Sequence, residues 1–482
     1  MSGIITWDKD SEYIHHYNQP PLYFYLIAFV GHFFGYGEVQ LHLFQSFFTA
    51  LAIFCFYSLS KFFVSSNKAL LLTFLFTYNP AFLVNQNLMV DVPLLSLHLL
   101  FFLILFSQGF SRDVIRYLLA ALVLSMALMI KYTSLPLLVI LVIAPILKGQ
   151  AKYAWSVLLP IFILLGWSYL NYLEFGDIHI LMRRTHAFSI THLIRSALDY
   201  TWTFGSIATF ALVFLPKIRR SYLKSKFIVS IVLFLGLVAI YALATFEFQK
   251  IVRWGLWMLF GALGLLVLIF VIRKAVEFVK EYLSHNVLQR DKMILMLWFA
   301  SLAAFIILFA PFMATRHVLL CLPPLLIISA QYVRQPKRVT CFLIAFIGLS
   351  LGLSDLIYAK AFQQQAFAIK RELPRASKVW SVGSWGWQWY SKKAGMLQLN
   401  SCAEPDLKTG DYLIIPSNVA RHNYEPKFEI AEVRKIVVPG NIATYFYTAN
   451  YASMYAASFD KNTWTLSDSP IASFTIYRVQ SK

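Results

Sequence analysis

Charged side chains are scarce in this sequence, so each one that stands beside an apolar run is a candidate for chemistry. Asp91 closes one such run and is followed by Pro93, a residue that fixes the local turn. A carboxylate there could take or orient a proton. The plainer alternative is a wetted aspartate that caps the next helix. Arg316 is the one strong charge in the stretch Ala310 to Leu325, and its guanidinium is a fork matched to phosphate oxygens. Snorkelling to lipid headgroups is the alternative there. Lys131, Arg183 and Arg184 are further cations suited to an anionic ligand. Arg183 and Arg184, with His186 and Arg195, lie on a segment amphipathic enough to rest in a membrane interface, where anionic lipid is an equal partner. Asp8, Asp10 and Glu12 add carboxylates near the N-terminus, either as solvated charges or within reach of the same site. His15 and His16 adjoin them, but neighbours in an extended segment point to opposite sides and do not chelate one ion.

The elements that must position these residues follow from hydropathy. Of 482 residues, 59% are hydrophobic and only 13% charged, and the mean hydropathy is +0.63. Soluble domains hold roughly 45–50% apolar residues, so lipid is the main partner of this surface. Apolar runs such as Leu41 to Phe63, Met293 to Ala310 and Val339 to Tyr358 are long enough to cross a hydrocarbon layer of roughly 30 Å. The same reading places further spans at 69–84, 92–109, 115–130, 132–148, 154–173, 200–216, 227–246, 254–272 and 317–333.

The formal charge of +19 would point to nucleic acid in a soluble protein. Here the basic residues fall in alternate loops, among them Lys68, Arg112, Arg116, Lys148, Lys152 and the run from Lys217 to Lys226. That alternation is the signature of cytoplasmic retention, and it excludes a nucleic-acid role. The other loops, carrying Asp91, Lys131, Arg183, Arg184 and Arg316, then face outward. So do the N-terminal segment and the polar tail. The domains expected are an external juxtamembrane segment over 1–38, a multi-span membrane domain over 39–358 and an external domain over 359–482.

In the tail, short β-like runs at Tyr412 to Ile415, Ile436 to Val438 and Phe474 to Val479 alternate with turn residues, which predicts a small α/β domain. Trp380, Trp385, Trp387 and Trp389 could stack on sugar rings, pack a core or anchor an interface. Cys402 is the sole tail cysteine, so no disulfide forms within that domain, and no zinc-type Cys/His spacing exists. The fold class is thus mainly α, a polytopic transmembrane bundle with a small C-terminal extramembrane α/β domain.

Three stretches, Asn18 to Gly35 (NQPPLYFYLIAFVGHFFG), Asn79 to Leu94 (NPAFLVNQNLMVDVPL) and Thr315 to Leu325 (TRHVLLCLPPL), carry a resemblance. Their order and common outer placement resemble the GT-C type glycosyltransferases that use lipid-linked sugars, the protein O-mannosyltransferase and aminoarabinose-transferase relatives. Met129 to Pro136 (MIKYTSLP) and Val379 to Gly395 (VWSVGSWGWQWYSKKAG) are also similar to segments of that family. The resemblance implies transfer of a sugar from a polyprenyl-phosphate donor to a lipid, polysaccharide or protein acceptor on the outer face of a cell membrane. Such a reaction needs a carboxylate for the acceptor proton, for which Asp91, Asp8 and Asp10 are the candidates, and contacts to the donor, for which Arg316, Lys131, Arg183, Arg184, Gln19, Pro20 and Pro21 are the candidates. No metal ligand is assigned, and a divalent cation is left open.

Gln19 departs from the family's frequent lysine and removes a phosphate contact. The family's acidic pair, usual after a first helix, is also missing upstream of Pro20-Pro21, as though a first span were absent. Two other classes share the bulk features: a transporter, and an inactive relative serving as a binding or assembly subunit. Against the transporter, no paired halves with matching broken helices occur in the sequence.

Overall fold

The structure, a computed structural model, describes residues 19–182, 189–211, 248–283, 290–330, 338–399, 407–419, 429–447, 452–458 and 460–480. Asp8, Asp10, Arg183, Arg184 and Cys402 lie outside the described residues.

Helices dominate. The first is α1 (Leu22–Phe34), followed by α2 (Glu38–Ser60), α3 (Ser66–Thr77), α4 (Pro80–Val84), α5 (Asp91–Phe106), α6 (Asp113–Ile130) and α7 (Pro136–Leu147). After these come α8 (Leu158–Phe175), α9 (His179–Met182), α10 (Ile190–Ile207), α11 (Phe248–Leu283), α12 (Arg290–Phe309), α13 (Thr315–Leu319), α14 (Leu322–Ser329), α15 (Arg338–Glu372) and α16 (Trp385–Lys393). Among the described residues six helical stretches are long and apolar enough to cross a membrane: Glu38–Ser60, Asp113–Ile130, Ala151–Phe175, Lys250–Lys280, Arg290–Phe309 and Arg338–Glu372. Leu22–Phe34, Asp91–Phe106 and Tyr132–Leu147 are shorter apolar helices. Together they make a multi-pass membrane protein, with one apolar core from Tyr23 through Phe102, Tyr117 and Trp298 to Ile344.

Several expected spans are broken, and each break has a local cause. The span read at 69–84 stops at Thr77 because Asn79 and Pro80 start a new helix. The Asn79 side chain accepts from Ala81 N at 3.0 Å and donates to Ile207 O at 2.8 Å, satisfying a helix start that Pro80 also suits. The span read at 317–333 is two short helices, α13 and α14, the second opening on Pro323 and Pro324. Of the span read at 200–216, residues 212–216 lie outside the described residues, and 200–207 belong to α10, which begins earlier and meets the tail near both ends. Arg195 lies 3.7 Å from Asp460, and Trp464 donates to Ser206 O at 3.0 Å. α10 carries the amphipathic pattern noted around Arg195. It packs tightly on α11, since a Cβ at Gly205 would come 1.8 Å from the Phe260 carbonyl oxygen.

The tail holds a five-stranded sheet of β1 (Val379–Ser381), β2 (Leu397–Gln398), β3 (Tyr412–Pro416), β4 (Ile430–Val438) and β5 (Ala472–Val479), in the order β2-β1-β3-β5-β4. β1 runs parallel to β2 and β3, whereas β5 is antiparallel to β3 and β4. α15 runs unbroken through residue 358 and buries Phe362, Ala366 and Ile369 against Phe474 and Trp387 of the tail. One helix thus belongs to both the bundle and the tail domain. Trp387 is core, and Trp380 is buried with its indole donating to Asp411 at 3.0 Å, so neither ring is free to stack on a sugar. Trp385, by contrast, is exposed.

Candidate active site

Glu38 opens α2 and contacts Tyr390 and Gln363 of the tail, which marks the end of the bundle where the tail domain sits. α2 leaves that end, α3 returns to it, and α5 and α6 repeat the excursion as an antiparallel pair. Asp91, in the first turn of α5, and Lys131, which caps the C-terminus of α6, are thereby brought face to face. Each also suits its helix end, a carboxylate at the positive N-terminus and an ammonium at the negative C-terminus. Lys131 Nζ lies 2.7 Å from Asp91 Oδ1. Both are buried, Asp91 to 2% exposure.

Arg316 joins them from α13, with Nε 3.4 Å from Asp91 Oδ2. Two cations therefore converge on one carboxylate. The contacts of Arg316 are long: Nη1 reaches Tyr455 O at 3.5 Å, and the guanidinium lies 5.3 Å from the Phe312 ring centre. Asp91 Oδ2 has no hydrogen-bond donor among the described residues. Replacing either partner of a buried ion pair typically costs about 3–5 kcal/mol. Here two cations share one carboxylate, and one oxygen of that carboxylate accepts no hydrogen bond among the described residues.

The tail contributes to the same place, which the sequence did not reveal. Thr315 N and Oγ1 both donate to Met454 O, at 3.0 and 2.9 Å, and Ala457 N donates to Met313 O at 2.8 Å. The Tyr455 hydroxyl donates to Asp355 Oδ2 at 2.8 Å and accepts from Asn87 at 3.4 Å. Burial and the Asp355 carboxylate push that hydroxyl well above the ordinary tyrosine range, so it stays a neutral donor. Residues 452–458 thus clasp the segment that carries Arg316. No local signal announces this, because Tyr455 and Arg316 are 139 positions apart.

One turn to two turns deeper along α5, His98 Nε2 is 2.8 Å from Ser134 Oγ. His317, beside Arg316, is buried with its ring 5.5 Å from that of Phe312. Pro20 and Pro21 are buried at the start of α1, which packs on α2 and α6, and Gln19 Oε1 has no partner among the described residues. The structure thus brings together Asp91, Lys131 and Arg316. Among the described residues no group of three His, Cys, Asp or Glu side chains could hold a metal ion.

Residues 18–170 match the family model described as dolichyl-phosphate-mannose-protein mannosyltransferase. That interval contains Asp91 and Lys131 but ends before Arg316. Among solved structures, the chain is similar to ArnT from Cupriavidus metallidurans bound to undecaprenyl phosphate, at 14% identity, 83% coverage of each chain and a TM-score of 0.41. It is also similar to the oligosaccharyltransferase of Archaeoglobus fulgidus in complex with zinc and sulfate, at 14% identity and a TM-score of 0.41, covering 80% of this chain and 54% of that one. A comparison with curated proteins finds no match. The matched interval covers about a third of the chain and contains the stretches Asn18 to Gly35, Asn79 to Leu94 and Met129 to Pro136.

Proposed function

We infer that the protein moves a sugar from a polyprenyl-phosphate-linked donor to a lipid, polysaccharide or protein acceptor on the outer face of the membrane, where the tail domain also lies. The observation that carries this reading is the convergence of Lys131 and Arg316 on Asp91, two cations suited to a phosphate beside a carboxylate whose Oδ2 accepts no hydrogen bond among the described residues. A donor of the dolichyl-phosphate-mannose kind, named in the family description, bears such a phosphate.

In the reaction, an acceptor oxygen or nitrogen attacks the anomeric carbon and the bond from that carbon to the phosphate oxygen breaks. The electron pair leaves with the polyprenyl phosphate, whose charge Arg316 and Lys131 offset. The acceptor proton passes to Asp91 Oδ2, the oxygen with no donor among the described residues. Asp8, Asp10, Gln19, Pro20, Pro21, Arg183 and Arg184 are proposed to line the approach of donor and acceptor.

Purified protein in vesicles with a radiolabelled lipid-linked sugar tests the reading. Label appearing in an acceptor supports transfer; label crossing the membrane without bond formation identifies a transporter, and neither outcome identifies a binding or assembly subunit. The sidedness has its own test, a protease-sensitive tag after Lys482. Cleavage of that tag in intact cells is expected, and cleavage only after permeabilisation overturns the outward placement.

A further inference from the structure

At the end of the bundle away from the tail domain lies a cavity of about 380 Å³ between α3, α11, α12 and α14. Its walls are apolar, with Phe63, Phe278, Leu295 and Ile327 among them, and two amines, Lys68 and Lys292, stand at its edge. Each lysine is the third residue of its helix, in α3 and α12 respectively. A cation in a first turn faces the positive end of the helix dipole, an unfavourable position unless an anion is close. Asp291 is the acidic residue in the first turn of α12, and it pairs with Lys148 at 3.3 Å. The first turn of α3 has no acidic residue, and no carboxylate is among the described lining residues. Lys292 has the Phe278 ring at 5.9 Å.

We propose that this cavity binds an anionic phospholipid, its phosphate between Lys68 and Lys292 and its upper acyl carbons against Phe63 and Ile327. Two basic helix ends around an apolar hollow fit an amphiphile: the charge recognises the phosphate, and the walls bury chain that a soluble anion lacks. Phosphatidylglycerol is the probe that carries one such charge. The proposal is independent of sugar transfer, because it concerns the opposite end of the bundle.

The test is native mass spectrometry of the full-length protein in detergent doped with phosphatidylglycerol or phosphatidylcholine. Wild type should retain phosphatidylglycerol at least tenfold more than phosphatidylcholine after delipidation. The double substitution Lys68→Gln and Lys292→Gln should lower that retention by roughly tenfold, and Lys68→Arg with Lys292→Arg should restore it. Ile327→Trp keeps both charges but fills the hollow, and should lower retention as well. Equal retention of both lipids, no loss in the glutamine variant, or full displacement by an equal concentration of inorganic phosphate would each overturn a lipid site. Unchanged melting temperatures of the variants ensure that a loss reports the site.

Discussion

The two ends of the bundle hold charges in opposite ways. Away from the tail, Arg116 pairs with Asp113 at 2.8 Å and Lys148 with Asp291 at 3.3 Å. Gln150 ties this set together, accepting from Arg116 at 2.7 Å and from Tyr117 at 2.8 Å and donating to Asp113 at 2.7 Å. Arg116 and Lys148 also cap carbonyls, of Ser107 and Leu105. Within this network two cations meet two carboxylates. Beside the tail, Lys131 and Arg316 share one carboxylate, Lys131 at 2.7 Å, while Arg316 holds its partners only at 3.4 and 3.5 Å. A charge-balanced network stabilises the fold as it stands, whereas two cations on one carboxylate are what the proposed phosphate site requires.

This contrast is broken most directly by Asp91→Asn. Transfer should fall by tenfold or more, the lower range for losing a positioned proton acceptor, and the melting temperature should fall too because two buried cations lose their counter-charge. Asp113→Asn, at the balanced and more exposed end, should leave transfer unchanged; equal loss in both variants would erase the distinction. Arg316→Lys keeps the charge and removes the fork, so a loss of roughly tenfold in transfer is expected with little change in melting. Wild-type transfer in that variant would remove Arg316 from phosphate binding.

A smaller effect is expected from Tyr455→Phe. It deletes one hydrogen bond to Asp355, of about 1 kcal/mol, and loosens the clasp on Arg316. Donor KM should rise several-fold while melting changes little, and an unchanged KM would make the clasp purely structural. Smallest is Asn79→Ala, which removes a helix cap and should lower stability by about 1 kcal/mol in chemical denaturation without altering donor affinity.

Much of this architecture was legible in the sequence. Apolar runs of membrane length must become helices, because only internal hydrogen bonding satisfies the backbone in lipid. Alternating basic loops put Asp91 and Arg316 at the same end of the bundle, where the structure also has them. The β-like tail runs became β3, β4 and β5, since β-branched and aromatic composition between turn residues is a local property. Local rules also expected too much. The spans at 69–84 and 317–333 ignored Pro80 and the Pro323-Pro324 pair.

Tertiary structure alone decided the rest. Lys131 was read as a cation suited to an anionic ligand, and the structure pairs it with Asp91, because the α5–α6 hairpin sets the two helix ends side by side. Arg316 and Asp91 were expected on the same outward face; the structure buries the two together in one ion cluster, against Met454 and Tyr455 of the tail. Composition and spacing specify which segments are buried and at which end a charge emerges. Which carboxylate meets which cation depends on contacts between residues far apart in sequence, whose geometry exists only once the helices have packed.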